Sequence, residues 1–458
     1  MTLITSVSGI RGTIGGSREH NLTPEDLVWF VAAYASWLKK EAPRDQPRVV
    51  VGRDARVSGP MVKQLVLGTL AGMGVDVLDL DLATTPTVEM AVMHEAAHGG
   101  IIITASHNPY EWNALKLLNN YGEFLSALEG EKIVEMARAQ DFDYATANNL
   151  GRITYDAAWN IKHIEQILEL PEVDTGAIRN AGFKVAVDCV NSVGGIVVPE
   201  LLRSLGVREV VKLHCEPDGL FPHNPEPLAE NLTELSRMVT ESGAHVGFAV
   251  DPDVDRLAII SENGGYFGEE YTLVAVADYI LQQKPGNTVS NLSSSRALKD
   301  ITMKYGGTYV ASAVGEAHVV EKMKETNAVI GGEGNGGVIF PALHFGRDAL
   351  VAIALFLSYM ARENRTCSQL RKWLPDYHIA KKKIEIDPRF DFDSFKKALK
   401  EQFPDADHNL VDGIRLDFQE AWVHIRKSNT EPVIRIIAES SSAEDSEKLI
   451  RSMMDRLK

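Results

Sequence analysis

The chain of 458 residues predicts an α/β protein: three similar α/β domains with mixed sheets and a smaller C-terminal α+β domain, arranged around one central cleft. Three observations predict it. Short apolar runs alternate with helical segments as far as about residue 367, the pattern of largely parallel sheets covered by helices. Three of these units end a strand in a polar loop, the place beyond the strand carboxyl ends where ligands collect in such sheets. Past Cys367 the alternation changes to strands with fewer helices between them. The boundaries read as 1–150, 151–256, 257–367 and 368–458, a length that suits three or four domains of about 100–200 residues each.

Taken in order, Thr23-Pro24-Glu25-Asp26 starts a helix, with a capping hydroxyl, proline at the first position and acids in the first turn. Apolar periodicity continues it to Leu38. A strand over 48–51, a helix over 60–73 closed by Gly74, a strand over 75–80, a helix over 87–98 and a strand over 100–103 complete the first βαβαβ unit. The polar stretch 141–149 precedes the second unit. It has strands over 183–188, 207–213 and 246–250 and helices over 196–205 and 232–241. The third begins near Leu257 with a hairpin at Asn263-Gly264-Gly265 and closes on Val329-Ile330. The apolar segment 349–361 is too short to span a bilayer and reads as a buried helix. Strands over 379–386, 413–417 and 421–426, with helices near 390–403 and 444–457, form the last domain.

A net charge of −16 repels nucleic acid and anionic lipid, so neither nucleic acid nor membrane is expected as a partner. Cys189, Cys215 and Cys367 are scattered, without the spacing of a disulfide framework or zinc site, and point to a reducing compartment. The N-terminus lacks a basic stretch followed by a long apolar core. A cytoplasmic protein is expected.

The chemistry sits in the loops. Thr104-Ala105-Ser106-His107-Asn108-Pro109 follows an apolar strand, and Pro109 and Asn108 end it, which displays the Ser106 hydroxyl beside an imidazole. Taken alone, the same hexapeptide suits an ordinary strand-ending turn. In Asp251-Pro252-Asp253-Val254-Asp255-Arg256 three carboxylates recur at every second residue, which in an extended chain would face one way and require a cation. Oxygen ligands suit a hard ion, Mg²⁺ where phosphate adds another oxygen; a solvated acidic turn is the plainer reading. Glu333, within Gly331-Gly332-Glu333-Gly334-Asn335-Gly336-Gly337, offers a carboxylate to sugar hydroxyls where the backbone approaches closely. Arg426-Lys427-Ser428-Asn429-Thr430-Glu431-Pro432, with Arg435, supplies the donors of a phosphate cradle, though charged hairpins share that composition.

In order and spacing these four loops resemble those of the α-D-phosphohexomutases, across essentially the whole chain. Ser8-Gly9-Ile10-Arg11-Gly12, Gly52-Arg53-Asp54-Ala55-Arg56-Val57-Ser58-Gly59 and Gly346-Arg347-Asp348 strengthen the resemblance. It implies an intramolecular phosphotransferase that interconverts hexose 6-phosphate and hexose 1-phosphate through a hexose 1,6-bisphosphate. Ser106 would be the phosphoserine; Asp251, Asp253 and Asp255 would hold Mg²⁺ together with an oxygen at Ser106. Arg11 and Arg256 would clamp the transferring group. The family's base is a lysine in an Asn-Gly-x-Lys pattern; Asn113-Ala114-Leu115-Lys116 keeps the lysine and replaces the glycine, with His107 as a supporting group. Glu333 and Asn335 would meet the sugar, while Arg426, Ser428, Asn429, Thr430 and Arg435 would hold the phosphate that is not reacting.

The sugar loop departs from the family. Better-known bacterial members carry Glu-x-Ser-Gly-His, whereas this chain has Asn335 for the serine and Gly337 for the histidine. His318 and His344 are candidates to fill that space. The Asn-Gly-Gly form resembles hexosamine-type mutases, so glucosamine phosphate is the first expectation and glucose or mannose phosphate the alternative. A serine phosphatase and a non-catalytic sugar-phosphate sensor are more distant readings. A monomer or homodimer is expected.

Overall fold

Val49, Val50 and Val51 are all fully buried, as a central parallel strand with helices on both faces requires. The computed structural model describes residues 3–6, 9–17, 20–41, 46–387, 390–427 and 433–457. Its contacts divide the chain into two units, Met1–Thr272 with Gly336–Leu370, and Leu273–Asn335 with Arg371–Lys458.

In the first unit a seven-stranded sheet runs Ile4–Ser6, Gly9–Thr13, Trp112–Leu118, Gly99–Ile103, Arg48–Arg53, Asp76–Leu82, Ile153–Tyr155. The last four strands are parallel, as the βαβ alternation predicts. The first three are antiparallel and were not foreseen. Trp112–Leu118 carries Asn113 and Lys116 in a strand buried along most of its length, so its polar residues break the apolar pattern that marks a strand. Gly9 shows why this edge needs glycine: its φ is +121°, and a Cβ there would meet the Leu115 carbonyl oxygen at 1.8 Å.

The helix expected over 87–98 lies at Thr85–His94, because Thr84 caps it through the Thr87 amide and Pro86 fits its first turn. A second sheet places Leu257–Ser261 antiparallel to Val246–Val250, which continues parallel into Lys184–Asp188 and Glu209–Leu213. The apolar segment forms the helix Ala349–Glu363, buried from Ala349 to Met360. A helix apolar on every side needs neighbours on every side; it packs on Trp159–Glu169, Thr175–Ala181 and Gly194–Leu205. No described helix is long and apolar enough to cross a membrane.

In the second unit Asn287–Asn291 lies between Tyr309–Ser312 and Ala328–Glu333, all parallel. A five-stranded antiparallel sheet follows, in the order His378–Glu385, Val433–Ser440, Trp422–Lys427, Ile414–Asp417, Asp407–Asn409. Period-two alternation sends Val423, Ile425, Ile434 and Ile436 into a core with Leu399, Ile450 and Met453 from the helices Phe392–Gln402 and Ala443–Leu457. The other face carries His424, Arg426 and Arg435.

Candidate active site

Ser106 sits just past the strand Gly99–Ile103 with φ +48°, a left-handed conformation that costs about 1–3 kcal/mol in a non-glycine residue and must be held by its surroundings. The holders are visible. The Ser106 amide donates to Thr104 Oγ1 (2.9 Å), whose hydroxyl donates to Asp54 Oδ2 (2.7 Å). Asp54 pairs with Arg56 Nε at 3.0 Å, both side chains fully buried. The two Nη atoms of Arg56 donate to the carbonyls of Ser106, Asn108 (2.7 Å), Pro109 (2.6 Å) and Trp112 (3.0 Å). One guanidinium therefore organises the whole Ser106 loop.

The Ser106 hydroxyl donates to Asp251 Oδ2 at 2.8 Å and lies 3.3 Å from His107 Nδ1. Asp251, Asp253 and Asp255 are fully buried, and one acidic oxygen from each lies within 4.8 Å of the others. Their grouping does not arise from an extended chain, as the alternate spacing suggested. The segment turns: Val254 has φ +63°, its amide donates to the Asp251 carbonyl (3.1 Å), and the Asp255 and Arg256 amides donate to Asp251 Oδ1 at 3.2 and 3.1 Å. Thr85 fastens the turn, its hydroxyl donating to Asp253 Oδ2 at 2.6 Å.

Cations surround the carboxylates. Lys116 Nζ lies 2.7 Å from Asp253 Oδ2 and 3.4 Å from Asp255 Oδ2, and Arg347 Nη2 lies 2.6 Å from Asp255 Oδ2. Arg256 bridges Glu226 (3.6 Å) and Asp255 (3.9 Å). Burial alone would lower the Lys116 pKa, but Asp253 and Asp255 outweigh it and raise it, so the amine is charged. Burial, then Arg256, hold His107 well below its ordinary value, leaving a neutral imidazole. Arg11 pairs with Ala114 across the antiparallel strands, which puts it on the same sheet face as Lys116.

The carboxylate set fits a hard divalent cation. Asp253 Oδ1 and Asp255 Oδ1 are buried and make no hydrogen bond, a costly state for charged oxygens unless a cation faces them. Burial, then the two neighbouring carboxylates, push Asp251 well above its ordinary range, whereas Arg347, Lys116 and Arg256 outweigh burial at Asp255 and hold it below its own.

In the second unit, Asn291 Nδ2 (2.8 Å) and the Gly315 amide (3.2 Å) donate to Glu333 Oε1, and Asn335 Nδ2 reaches Oε2 at 3.5 Å. Arg426 and Arg435 stand directly opposite on antiparallel strands. Facing like charges cost about 0.2–1 kcal/mol, which the isoleucines on the opposite face, at about 1.5–3 kcal/mol each, readily offset. Such a pair is a standing site for an anion. Asp412 flanks it, 3.8 Å from Arg426. Ser428, Asn429 and Thr430, expected in the same cradle, lie outside the described residues. His424, buried behind the cradle, meets Ser293 Oγ (2.9 Å) and the Asp412 carbonyl (2.6 Å).

Models of the phosphoglucomutase/phosphomannomutase α/β/α domains I, II and III match residues 3–144, 161–265 and 268–377, and that of the C-terminal domain matches 389–456. The chain belongs to the phosphoglucomutase/phosphomannomutase family. A phosphoglucomutase/phosphomannomutase of Thermococcus kodakarensis is 37% identical over 94% of this chain and 95% of its own length. A probable phosphoglucosamine mutase of Methanopyrus kandleri is 34% identical over 98% and 96%. A family protein of Burkholderia thailandensis has a crystal structure that superposes with a TM-score of 0.86 at 26% identity, covering 99% of this chain and 96% of that one.

Of the family residues predicted from sequence, the structure brings together Ser106, His107, Lys116, Asp251, Asp253, Asp255 and Arg256 in one unit, and Glu333, Asn335, Arg426 and Arg435 in the other. Sequence reasoning gave no role to Asp54, Arg56, Thr85 or Arg347. Asp54, Arg56 and Arg347 stood in the quoted family motifs, and the two Gly-Arg-Asp triplets, 52–54 and 346–348, were a usable sign. Thr85 left none. His344, considered for the missing sugar-loop imidazole, is buried between Glu89 (3.5 Å) and Asp348 (3.3 Å). His318 is exposed in the first turn of the helix Glu316–Thr326, next to Gly315, whose amide meets Glu333.

Proposed function

We propose that this phosphohexomutase interconverts glucosamine 6-phosphate and glucosamine 1-phosphate, with Ser106 carrying the phosphoryl group. The observation that carries the reading is the Ser106 hydroxyl at 2.8 Å from one of three clustered buried carboxylates. Carboxylates and cations around a serine oxygen suit phosphoryl transfer, where charge spreads over the equatorial oxygens.

In the forward step the substrate hydroxyl attacks the phosphorus of phosphoserine, the P–O bond to Ser106 breaks and the hydroxyl proton leaves to a base. The resulting hexose 1,6-bisphosphate turns over and returns its other phosphoryl group to Ser106. Arg256 and Arg11 are assigned to the phosphoryl oxygens. Arg347 and Thr85 orient the carboxylates. When bound at Asp251, Asp253 and Asp255, Mg²⁺ would neutralise phosphoryl charge and compete with the Lys116 ammonium for carboxylate oxygens. Lys116 is the assigned base in its neutral form; His107 is already neutral and is the second acceptor. The facing Arg426 and Arg435 are assigned to the phosphate that is not reacting, with the Glu333 carboxylate and Asn335 on the sugar.

Glucosamine is favoured by the Asn335-Gly336-Gly337 form of the sugar loop, by a buried carboxylate suited to a hexosamine ammonium, and by the name of the Methanopyrus relative. Glucose and mannose phosphates are the second reading, favoured by the name of the Thermococcus relative. All three cysteines are free, Cys189 and Cys215 although their side chains meet, which favours a reducing cytoplasm. The test is kcat/KM on glucosamine, glucose, mannose and N-acetylglucosamine phosphates, with Mg²⁺ and a trace of hexose 1,6-bisphosphate. Preference for any sugar but glucosamine overturns the ranking. Free phosphate as the main product would indicate a phosphatase, and full turnover by Ser106→Ala would end the phosphoserine assignment.

A further inference from the structure

A second group of metal-ligating side chains lies in the first unit, apart from the aspartate cluster. Asp188 ends the strand Lys184–Asp188, beside its parallel neighbour Leu213, after which comes His214. His223 follows on the next loop. Asp188 Oδ2 lies 3.0 Å from His223 Nε2 and 3.3 Å from His214 Nδ1, and the three ligand atoms are all within 4.8 Å of one another. The carboxylate is aimed, since the Val190 amide holds its other oxygen at 3.0 Å.

His223 faces an acceptor at each ring nitrogen. His223 Nδ1 is 2.8 Å from the Asn224 carbonyl, which only accepts, so that nitrogen carries the hydrogen. In the neutral ring Nε2 is then a lone pair pointing at a carboxylate oxygen, an arrangement that needs a positive charge between them. His214 brings its Nδ1 to the same carboxylate oxygen, while Glu234 Oε2, 3.7 Å from its Nε2, stands beyond hydrogen-bond reach. An imidazolium at His223 would share that one oxygen with the His214 ring, the two centroids 5.5 Å apart. A single divalent cation satisfies all three groups. Ligand atoms on a tetrahedral ion with metal–nitrogen bonds of about 2.0–2.1 Å stand about 3.3 Å apart, close to the spacings here, and a ring N–H given to a carbonyl is the usual orientation of a ligating histidine. Imidazole with carboxylate selects zinc over magnesium, unlike the all-oxygen aspartate cluster.

We propose that Asp188, His214 and His223 bind a zinc-class divalent cation that fixes the loop from 214 to 226. That loop backs the nucleophile. The Gly219 amide donates to the Asn191 carbonyl at 3.0 Å, and a Cβ on Gly219 would meet the Ala55 carbonyl oxygen at 2.0 Å. The Phe221 ring lies 5.1 Å from the guanidinium of Arg56, which organises the Ser106 loop. Glu226 then reaches Arg256 at 3.6 Å and His107 at 4.0 Å.

The test uses chelator-stripped full-length protein in excess Mg²⁺, titrated with Co²⁺ and then Zn²⁺. One equivalent of Co²⁺ should bind with the intense visible absorption of a four- or five-coordinate nitrogen site and be displaced by Zn²⁺. His214→Asn and His223→Asn should each weaken binding by about tenfold or more. In the wild-type protein, which needs no variant to fold, Zn²⁺ should slow amide exchange across 214–226. Absence of tight binding, exchange unchanged by Zn²⁺, or binding that survives both histidine changes but not Cys189→Ser with Cys215→Ser would each overturn the proposal.

Discussion

Replacing Arg56 with lysine keeps the positive charge beside Asp54 and removes the guanidinium fork. Five acceptors now take hydrogens from Arg56: Asp54 Oδ2 and the carbonyls of Ser106, Asn108, Pro109 and Trp112. An ammonium has three hydrogens from one atom, so at least two acceptors lose their donor. At about 1–3 kcal/mol for each buried unsatisfied group the cost is about 2–6 kcal/mol. The low end applies where a carbonyl has another donor, as Pro109 has in the Trp112 amide (3.0 Å). The loop escapes this cost by relaxing, and the left-handed Ser106 is the strained point that gives way. If about 2–3 kcal/mol of positioning is lost, kcat falls about 30- to 150-fold, at about 1.4 kcal/mol for each tenfold. Arg56 is fully buried and touches no substrate, so KM should change little. The assay is steady-state mutase turnover with the phosphoserine content checked by intact mass, alongside amide exchange across 104–112. A kcat within threefold of wild type, with exchange unchanged, would refute the reasoning.

Other outcomes follow from the same geometry. Arg435→Gln should raise KM about 10- to 100-fold, as one or two charge-assisted phosphate bonds are lost; an unchanged KM would remove the pair from substrate binding. Gly9→Ala should cost about 2–4 kcal/mol, combining left-handed strain with a clash on backbone, and isothermal denaturation would show no loss if the strand edge adapts. Burial holds the His424 pKa down to about 4. The unfolded chain therefore takes up a proton at pH values below about 6.5 that the folded protein refuses until about pH 4, and stability falls as pH drops through that window. The loss should reach about 3 kcal/mol, read as smaller amide protection factors in strands Trp422–Lys427 and Val433–Ser440 at pH 4.5 than at pH 7, each rate taken against the intrinsic rate at its own pH. His424→Gln should abolish most of that pH dependence, and an equal dependence in the variant would show that another group is responsible.

How much was legible depended on whether a feature is local. The parallel strands around Val50 and the helix Ala349–Glu363 could be read because burial on all sides leaves uninterrupted apolar runs. The strands Gly9–Thr13 and Trp112–Leu118 could not, since they carry Arg11 and Lys116 into the site and so break that pattern. The aspartates come together, but by another geometry than their spacing suggested: a turn through the left-handed Val254, not an extended chain, groups the carboxylates. The Asp188, His214 and His223 group left no spacing to read, because its members come from two parallel strand ends and a loop.

By itself the sequence determined the fold class, the family and a set of candidate site residues, because strand-end loops keep each candidate and its flanking turns together within a few residues. Tertiary structure decided what those residues can do. Arg56 reaches across 50 positions to the loop of Ser106, and Lys116 reaches across 137 to Asp253. Ionisation states and the opposition of Arg426 to Arg435 depend on distance and burial, which sheet pairing sets and which no local run of residues contains.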